Sequence, residues 1–197
     1  MEGVVKSKYR AVVIGASSGG LKALKTILSV LPGDFALPVI IVVHRHPNAD
    51  GYMEESLDHK CTLSVKQVDE KEKIQNGVVY IGPPNYHVLI EDTRIFSLSV
   101  EEAVNYARPS IDVLFESAAD VYGPELVGVV LTGNNDDGVR GLQRIKRRGG
   151  LTVVQTPETA EAESMPKAAI AAVDPDHVLP LKEIGPFLNG LSIFNIQ

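Results

Sequence analysis

The sequence is poor in several features, and each scarcity excludes a class of protein. It contains one cysteine among 197 residues, Cys61, which excludes an intrachain disulfide and a metal site built from several thiolates. Apolar runs such as residues 38–43 are far shorter than the ~20 residues that a membrane helix needs. The first residues lack the apolar stretch of a signal peptide. We therefore expect a cytoplasmic protein with no segment inserted in the membrane.

Positive charge is scarce as well. Lysine and arginine number 19 and aspartate and glutamate 25, which gives a net charge of −6. This acidic balance argues against nucleic acid as a partner and against binding to an anionic membrane surface. A hydrophobic fraction of 44% is ordinary for a globular protein and excludes a wholly disordered chain.

Short apolar, β-branched runs alternate with segments that have helical spacing of apolar residues. Strands are expected in these runs, near residues 9–15, 38–43, 62–65, 78–81, 126–131 and 151–154, and helices near residues 21–31, 111–122 and 139–148. The alternation predicts an α/β fold with an open, mostly parallel sheet and helices on both faces, a doubly wound, Rossmann-like class.

The middle of the chain differs from this pattern. Residues 78–81, 86–91 and 94–98 are short strand-like runs separated by Gly-Pro-Pro-Asn and Asp-Thr. They predict a small antiparallel hairpin region added to the parallel core. We expect residues 1–8 to be a flexible tail and residues 9–197 to form a single domain.

Three predicted strands end in residues with catalytic chemistry. Ser17 and Ser18 follow the first strand, His44 the second, and Asp137 the strand at 126–131. Because ligands of open α/β sheets bind at the carboxyl ends of strands, these residues could supply a nucleophile, a base and an orienting acid. Taken singly, Ser17 and Asp137 could instead be helix N-caps, and the glycine-rich turn at 15–20 could bind a phosphate.

Four stretches, taken in order, resemble the catalytic domain of the chemotaxis receptor methylesterase (CheB) family. They are residues 13–20 (Val-Ile-Gly-Ala-Ser-Ser-Gly-Gly), 42–47 (Val-Val-His-Arg-His-Pro), 107–115 (Ala-Arg-Pro-Ser-Ile-Asp-Val-Leu-Phe) and 131–138 (Leu-Thr-Gly-Asn-Asn-Asp-Asp-Gly). The resemblance covers nearly the whole chain.

The resemblance implies a serine hydrolase without metal or cofactor, in which Ser17 is the nucleophile, His44 rather than His46 the base, and Asp137 the acid. Its substrates would be glutamyl methyl esters on the cytoplasmic helices of methyl-accepting chemoreceptors, and some members of the family also deamidate receptor glutamines. Backbone N–H groups near Ser18 and Asn134 would stabilise the oxyanion.

By the same analogy, Arg108 and Ser110 would shape the substrate cleft. The sequence departs from the family pattern in two places. Members commonly carry an N-terminal receiver domain, whereas only eight residues precede the first strand here, so we expect a stand-alone form without that regulation. In addition, residues 134–136 (Asn-Asn-Asp) replace the usual Met-Gly-Asn.

Two alternative functions remain open on the sequence alone. A receptor-binding or adaptor module of the same fold, with weak or no catalysis, would accommodate the altered segment at 134–136. An anion- or nucleotide-binding α/β protein would use the glycine-rich turn at 15–20.

Overall fold

The computed structural model describes residues 7–192, which form nine strands and six α-helices. The strands are β1 (Ala11–Ala16), β2 (Val39–Val43), β3 (Ser64–Gln67), β4 (Val78–Ile81), β5 (His87–Ile90), β6 (Phe96–Ser99), β7 (Leu126–Val130), β8 (Leu151–Gln155) and β9 (His177–Leu179). The helices are α1 (Gly20–Leu28), α2 (Tyr52–Asp58), α3 (Ile111–Tyr122), α4 (Val139–Arg147), α5 (Ser164–Val173) and α6 (Leu181–Ser192).

Seven strands form one parallel sheet in the order β3-β4-β2-β1-β7-β8-β9. Every residue of β1, β2 and β7 is buried. Helices cover both faces of the sheet, since α1 packs on α2 and α6, while α4 packs on α3 and α5. Each face has its own apolar core, which explains why the central strands are continuous β-branched runs. The predicted doubly wound α/β fold is confirmed.

The order of the strands places a topological switch between β1 and β7. From β1 the chain builds outward through β2 to one edge of the sheet, then returns to add β7, β8 and β9 on the other side. Such a switch leaves a crevice at the carboxyl ends of the two central strands. Parallel registers pair Ala16 with Val43 and Gly15 with Val130, so β1, β2 and β7 end at the same level.

The predicted antiparallel region is confirmed for β5 and β6, which pair as a hairpin, and is wrong for β4. Strand β4 lies inside the parallel sheet between β3 and β2. Its last three residues are buried, which is typical of a strand covered on both faces. The hairpin instead packs against α3, where the Ser117 hydroxyl accepts a hydrogen bond from the Ile90 N–H.

The predicted flexible tail at residues 1–8 falls largely outside the described residues. Of its two described residues, Ser7 donates a hydrogen bond to the carbonyl of Leu191, at the end of α6. Within residues 7–192, no helix is both long and apolar enough to cross a bilayer.

Candidate active site

Ser17 lies in the tight turn that joins β1 to α1. Its N–H donates to the Thr132 carbonyl at 2.9 Å, and its carbonyl accepts the Gly20 N–H at 2.8 Å. The turn requires glycine at position 19. Its φ is 79°, and the Cβ of any other residue there would lie 2.7 Å from the Glu161 Cβ. Gly19 is also the N-cap of α1, without a side-chain cap, so the interpretation of Ser17 as the helix cap is wrong.

His44 follows β2 and reaches the same edge of the sheet. Its N–H donates to the Ala16 carbonyl at 3.1 Å, which fixes the residue beside the turn that carries Ser17. The imidazole Nε2 lies 2.6 Å from Oδ2 of Asp137, and Nδ1 lies 2.9 Å from Nδ2 of Asn135. The side chain of His44 is 13% exposed and that of Asp137 is 0% exposed. The pair is therefore shielded from bulk water, with one edge of the ring left open.

The Asp137 carboxylate accepts five hydrogen bonds. Besides His44, the donors are Asn105 Nδ2 (3.0 Å), the Ser110 hydroxyl (2.9 Å), and the N–H groups of Ile111 (2.7 Å) and Asp112 (3.1 Å). The last two are the first N–H groups of α3, so the carboxylate lies at the positive end of that helix dipole.

The N-cap of α4 is Gly138, without a side-chain cap. The interpretation of Asp137 as the cap of α4 is therefore wrong.

These contacts keep Asp137 ionised. Burial by itself would raise its pKa, but the hydrogen bonds from His44, the Ile111 N–H and Asn105 outweigh burial and leave the pKa below its usual value. An ionised carboxylate can only accept hydrogen bonds, so in the neutral ring we assign the proton of His44 to Nε2 and the lone pair to Nδ1.

Asp112 is a second buried carboxylate, next to the first. Its pKa is raised, mainly by burial and also by the charge of Asp137. Asn105 lies between the two and donates to both, to Asp112 Oδ2 at 2.9 Å and to Asp137 Oδ1 at 3.0 Å. A single amide group thus stabilises two carboxylates that would otherwise repel each other.

Ser18 and Asn134 are the residues whose backbone N–H groups are predicted to stabilise an oxyanion. Within residues 7–192, no backbone carbonyl accepts the N–H of Ser18 or of Asn134. The two residues are exposed and joined side chain to side chain, with Asn134 Nδ2 3.2 Å from the Ser18 hydroxyl. Their loops therefore face each other across the crevice between β1 and β7.

Arg108 lies at the cleft, whereas Ser110 lies in the interior. Arg108 lines the cleft, and its guanidinium donates to Asn85 Oδ1 and to the carbonyls of Val100 and Glu101, at 2.7 to 3.1 Å. It thereby holds the wall of the cleft in place. Ser110 is fully buried, caps α3 and donates to Asp137. The predicted role of Ser110 in shaping the cleft is corrected to support of Asp137.

Ser17 and His44 open into one cleft of about 570 Å³. The segment at residues 103–109 forms the opposite wall. Asn105 and Tyr106, with φ of 52° and 61°, make a two-residue turn between Val104 and Ala107. This turn directs Asn105 onto Asp137 and leaves Tyr106 fully exposed at the mouth. The cleft is thus wide enough to admit a side chain that projects from another protein.

The neighbouring histidine is oriented differently. His46 is exposed, and its Nδ1 accepts the N–H of Asn48 at 3.2 Å. Arg45, between the two histidines, forms a buried bidentate pair with Glu54 at 2.7 and 3.2 Å. This pair fixes the segment after β2 against α2, which leaves His44 as the histidine that reaches the cleft.

Comparison with known proteins identifies the family. A sequence model of the family described as CheB methylesterase matches residues 12–188. The chain belongs to the CheB methylesterase family. The resemblance drawn from the four sequence stretches is therefore confirmed.

Individual relatives of this CheB-family chain differ in length. A Leptospira interrogans protein named putative protein-glutamate methylesterase/protein-glutamine glutaminase is 49% identical over 96% of this chain and 98% of its own. An Archaeoglobus fulgidus protein-glutamate methylesterase/protein-glutamine glutaminase is 37% identical over 91% of this chain, which spans 52% of that relative. The crystal structure of the Thermotoga maritima CheB methylesterase catalytic domain superposes with a TM-score of 0.90 at 32% identity, covering 93% of this chain and 98% of that one.

Two residues of this CheB-family site were missed by the sequence analysis. Asn105 and Asn135 both donate to members of the His44–Asp137 pair. The signal for Asn135 was its place in the altered segment at 134–136. For Asn105 no sequence signal was available, because its role depends on the turn at 104–107.

Proposed function

We propose that the chain is a protein-glutamate methylesterase, a cytoplasmic serine hydrolase that demethylates glutamyl residues of chemoreceptors in chemotaxis. The observation that carries the proposal is the His44–Asp137 contact of 2.6 Å at the sheet edge, in a cleft that His44 shares with Ser17. The names of the relatives support the substrate class.

The chemistry begins with the transfer of the Ser17 hydroxyl proton to His44 Nδ1, while Oγ attacks the ester carbonyl. Asp137 stabilises the imidazolium through the Nε2–H bond. In the usual serine triad, Nδ1 of the histidine contacts the acid and Nε2 contacts the serine. Here the two ring nitrogens exchange roles, because Nε2 contacts Asp137. The free N–H groups of Ser18 and Asn134 can stabilise the tetrahedral oxyanion.

Collapse of the tetrahedral intermediate breaks the carbon–oxygen bond to methoxide, which takes the proton from His44 and leaves as methanol. The Ser17 acyl-enzyme remains. Water, deprotonated by the same Nδ1, then attacks this acyl group. The bond to Ser17 Oγ breaks, the imidazolium returns its proton to Oγ, and the glutamate carboxylic acid is released. A glutamine side chain would follow the same route with ammonia as the leaving group, which matches the glutaminase part of the relatives' names.

The form of the cleft favours a substrate presented by another protein. The mouth is open, Tyr106 stands fully exposed beside it, and Arg108 holds the opposite wall in place. A glutamyl ester has a side chain long enough to reach Ser17 while the helix that carries it stays outside. The cytoplasmic helices of methyl-accepting chemoreceptors are therefore the proposed partners.

The test is methanol release from methylated receptor membranes, followed for the wild-type chain and for Ser17→Ala. Losing the nucleophile should reduce kcat by about 10⁶-fold. The matched variant Ser18→Ala keeps its backbone N–H and should stay far more active than Ser17→Ala. An active Ser17→Ala variant would refute the assignment.

Covalent labelling separates the enzyme from an inert adaptor of the same fold. An organophosphonate should modify Ser17 in the wild-type chain and leave Ser17→Ala unmodified. Receptor binding without labelling and without methanol release would indicate the adaptor instead.

A further inference from the structure

The catalytic nitrogen of His44 is already occupied by a side chain. Asn135 Nδ2 lies 2.9 Å from His44 Nδ1, and the orientation of the amide is fixed because Asn135 Oδ1 accepts the Asp137 N–H at 3.1 Å. The nitrogen of Asn135 must therefore face the ring, and it donates to the lone pair of Nδ1.

This hydrogen bond is not needed to orient the ring. Asp137 by itself places the ring proton on Nε2, because an ionised carboxylate can only accept a hydrogen bond from that nitrogen. The backbone of His44 is fixed separately, by its hydrogen bond to the Ala16 carbonyl. Both the tautomer and the position of His44 are thus set without Asn135.

The contact does conflict with the proposed reaction. The lone pair of Nδ1 is the only site on the neutral ring that can take the Ser17 proton, and one lone pair in the ring plane cannot accept from two donors in good geometry. Before Ser17 can be deprotonated, the amide of Asn135 has to leave. The half-buried Asn135 side chain lines the same cleft as Ser17, so an entering substrate can displace it.

We infer that Asn135 is an internal competitor of Ser17 for His44 Nδ1, which restrains the esterase until substrate displaces its amide. The inference rests on the proposed function. Asn135 would act on the reaction through an inhibitory contact with His44, so removing its side chain should accelerate the reaction.

The first test is the hydrolysis of p-nitrophenyl acetate by Asn135→Ala. Removing one net amide hydrogen bond should raise kcat/KM by about two- to tenfold. Asn76→Ala, an exposed asparagine in the turn before β4, is the matched control and should equal the wild-type chain. A value for Asn135→Ala equal to or below wild type would overturn the inference.

A second variant reverses the chemistry of the contact at nearly constant shape. Asn135→Asp keeps an oxygen for the Asp137 N–H but replaces the donor to Nδ1 with an acceptor. Two carboxylates would then hold both ring nitrogens protonated, and the loss of the base should lower kcat/KM by about 10²-fold. Wild-type activity in Asn135→Asp would overturn the inference, even if Asn135→Ala failed to fold.

A spectroscopic readout tests the contact without turnover. In ¹⁵N spectra of the folded chain, the Nδ1 resonance of His44 should move in Asn135→Ala, as its lone pair loses a donor, and should stay unchanged in Asn76→Ala. An unmoved resonance would overturn the inference.

The outcomes for the two proposals are distinct. A Ser17-dependent wild-type enzyme that is not accelerated in Asn135→Ala refutes the competitor alone. Absence of activity in both refutes the proposed function. An inactive wild-type chain with a Ser17-dependent, active Asn135→Ala supports both proposals and shows that the restraint is nearly complete.

Discussion

Replacing Asp137 with asparagine tests the site most severely, because every neighbour of this carboxylate is a donor. The amide of the new asparagine has two orientations. With its NH₂ group in place of Oδ2 it would face the His44 Nε2–H and the Ile111 N–H, and with NH₂ in place of Oδ1 it would face the other three donors. One way to relieve the clash is for His44 to change tautomer, so that Nε2 accepts and Nδ1 carries the proton. The base would then be unable to take the proton of Ser17. We expect Asp137→Asn to lower kcat roughly 10⁴-fold, the size known for a triad acid.

The same variant should lose stability. Leaving a buried donor without its acceptor costs about 1–3 kcal/mol, and the negative charge at the start of α3 is lost as well. The pKa of Asp137 is lowered in the folded chain, so its contribution is complete above the unfolded value of about 4 and fades as pH falls through the lower folded value. The stability gap between wild type and Asp137→Asn should therefore narrow in acid.

Urea unfolding followed by circular dichroism at neutral and acidic pH would measure that gap. Hydrolysis of p-nitrophenyl acetate would measure kcat in the folded variant. A kcat within tenfold of wild type at neutral pH would refute the tautomer argument. A stability gap that widens in acid would refute the assignment of an ionised Asp137.

The remaining predictions concern neighbouring groups. His44→Ala should abolish esterase activity while His46→Ala keeps most of it, because the ring of His46 is exposed and accepts a hydrogen bond from Asn48 of its own loop; an inactive His46→Ala beside an active His44→Ala would exchange the two roles. Arg108→Glu should impair turnover of methylated receptor more than that of p-nitrophenyl acetate, since Arg108 supports the cleft wall. An equal loss of turnover on both substrates would indicate that Arg108 acts in folding or in the chemical step instead. Burial raises the pKa of Asp112 in the folded chain, so wild type loses stability as pH rises above the unfolded value of about 4, and urea unfolding should show Asp112→Asn gaining stability relative to wild type over the same rise in pH. Prolonged EDTA treatment should leave activity intact because the proposed proton transfer needs no metal, and rescue of a chelated, inactive enzyme by zinc would contradict it.

The central part of the fold could be predicted because strands that are buried on both faces appear in the sequence as continuous apolar, β-branched runs. Strands β1, β2, β7 and β8 are such runs, and α3 has helical spacing over its full length. Helix α6 was missed because Gly185-Pro186 interrupts its pattern. The structure explains the glycine, since a Cβ there would lie 2.7 Å from the carbonyl oxygen of Ile27 in α1. Strand β9, with three residues at the edge of the sheet, is too short to leave a pattern.

Part of the site was predictable by the same logic. Strand ends in a parallel sheet meet at one edge, so Ser17, His44 and Asp137 could be grouped before any contact was known. The side chains that complete the arrangement depend on loop geometry instead. Asn105 reaches Asp137 because two consecutive residues adopt positive φ, which a sequence containing no glycine at that turn does not indicate.

The Asp137 carboxylate also links the starts of two helices. Asp137, just before α4, accepts the first N–H groups of α3, while Asp112, in the first turn of α3, accepts the N–H groups of Gly138, the N-cap of α4, and of Gly141, in its first turn. The first N–H groups of each helix thus donate to a carboxylate from the start of the other, besides the Ser110 cap of α3. These reciprocal contacts bring two carboxylates together, and Asn105 bridges them. Burial raises the pKa of Asp112, whereas the hydrogen bonds to Asp137 outweigh burial and lower its pKa, so both shifts favour a negative charge on Asp137, beside His44. The contact between the starts of α3 and α4 and the tautomer of His44 therefore depend on the same carboxylate, Asp137.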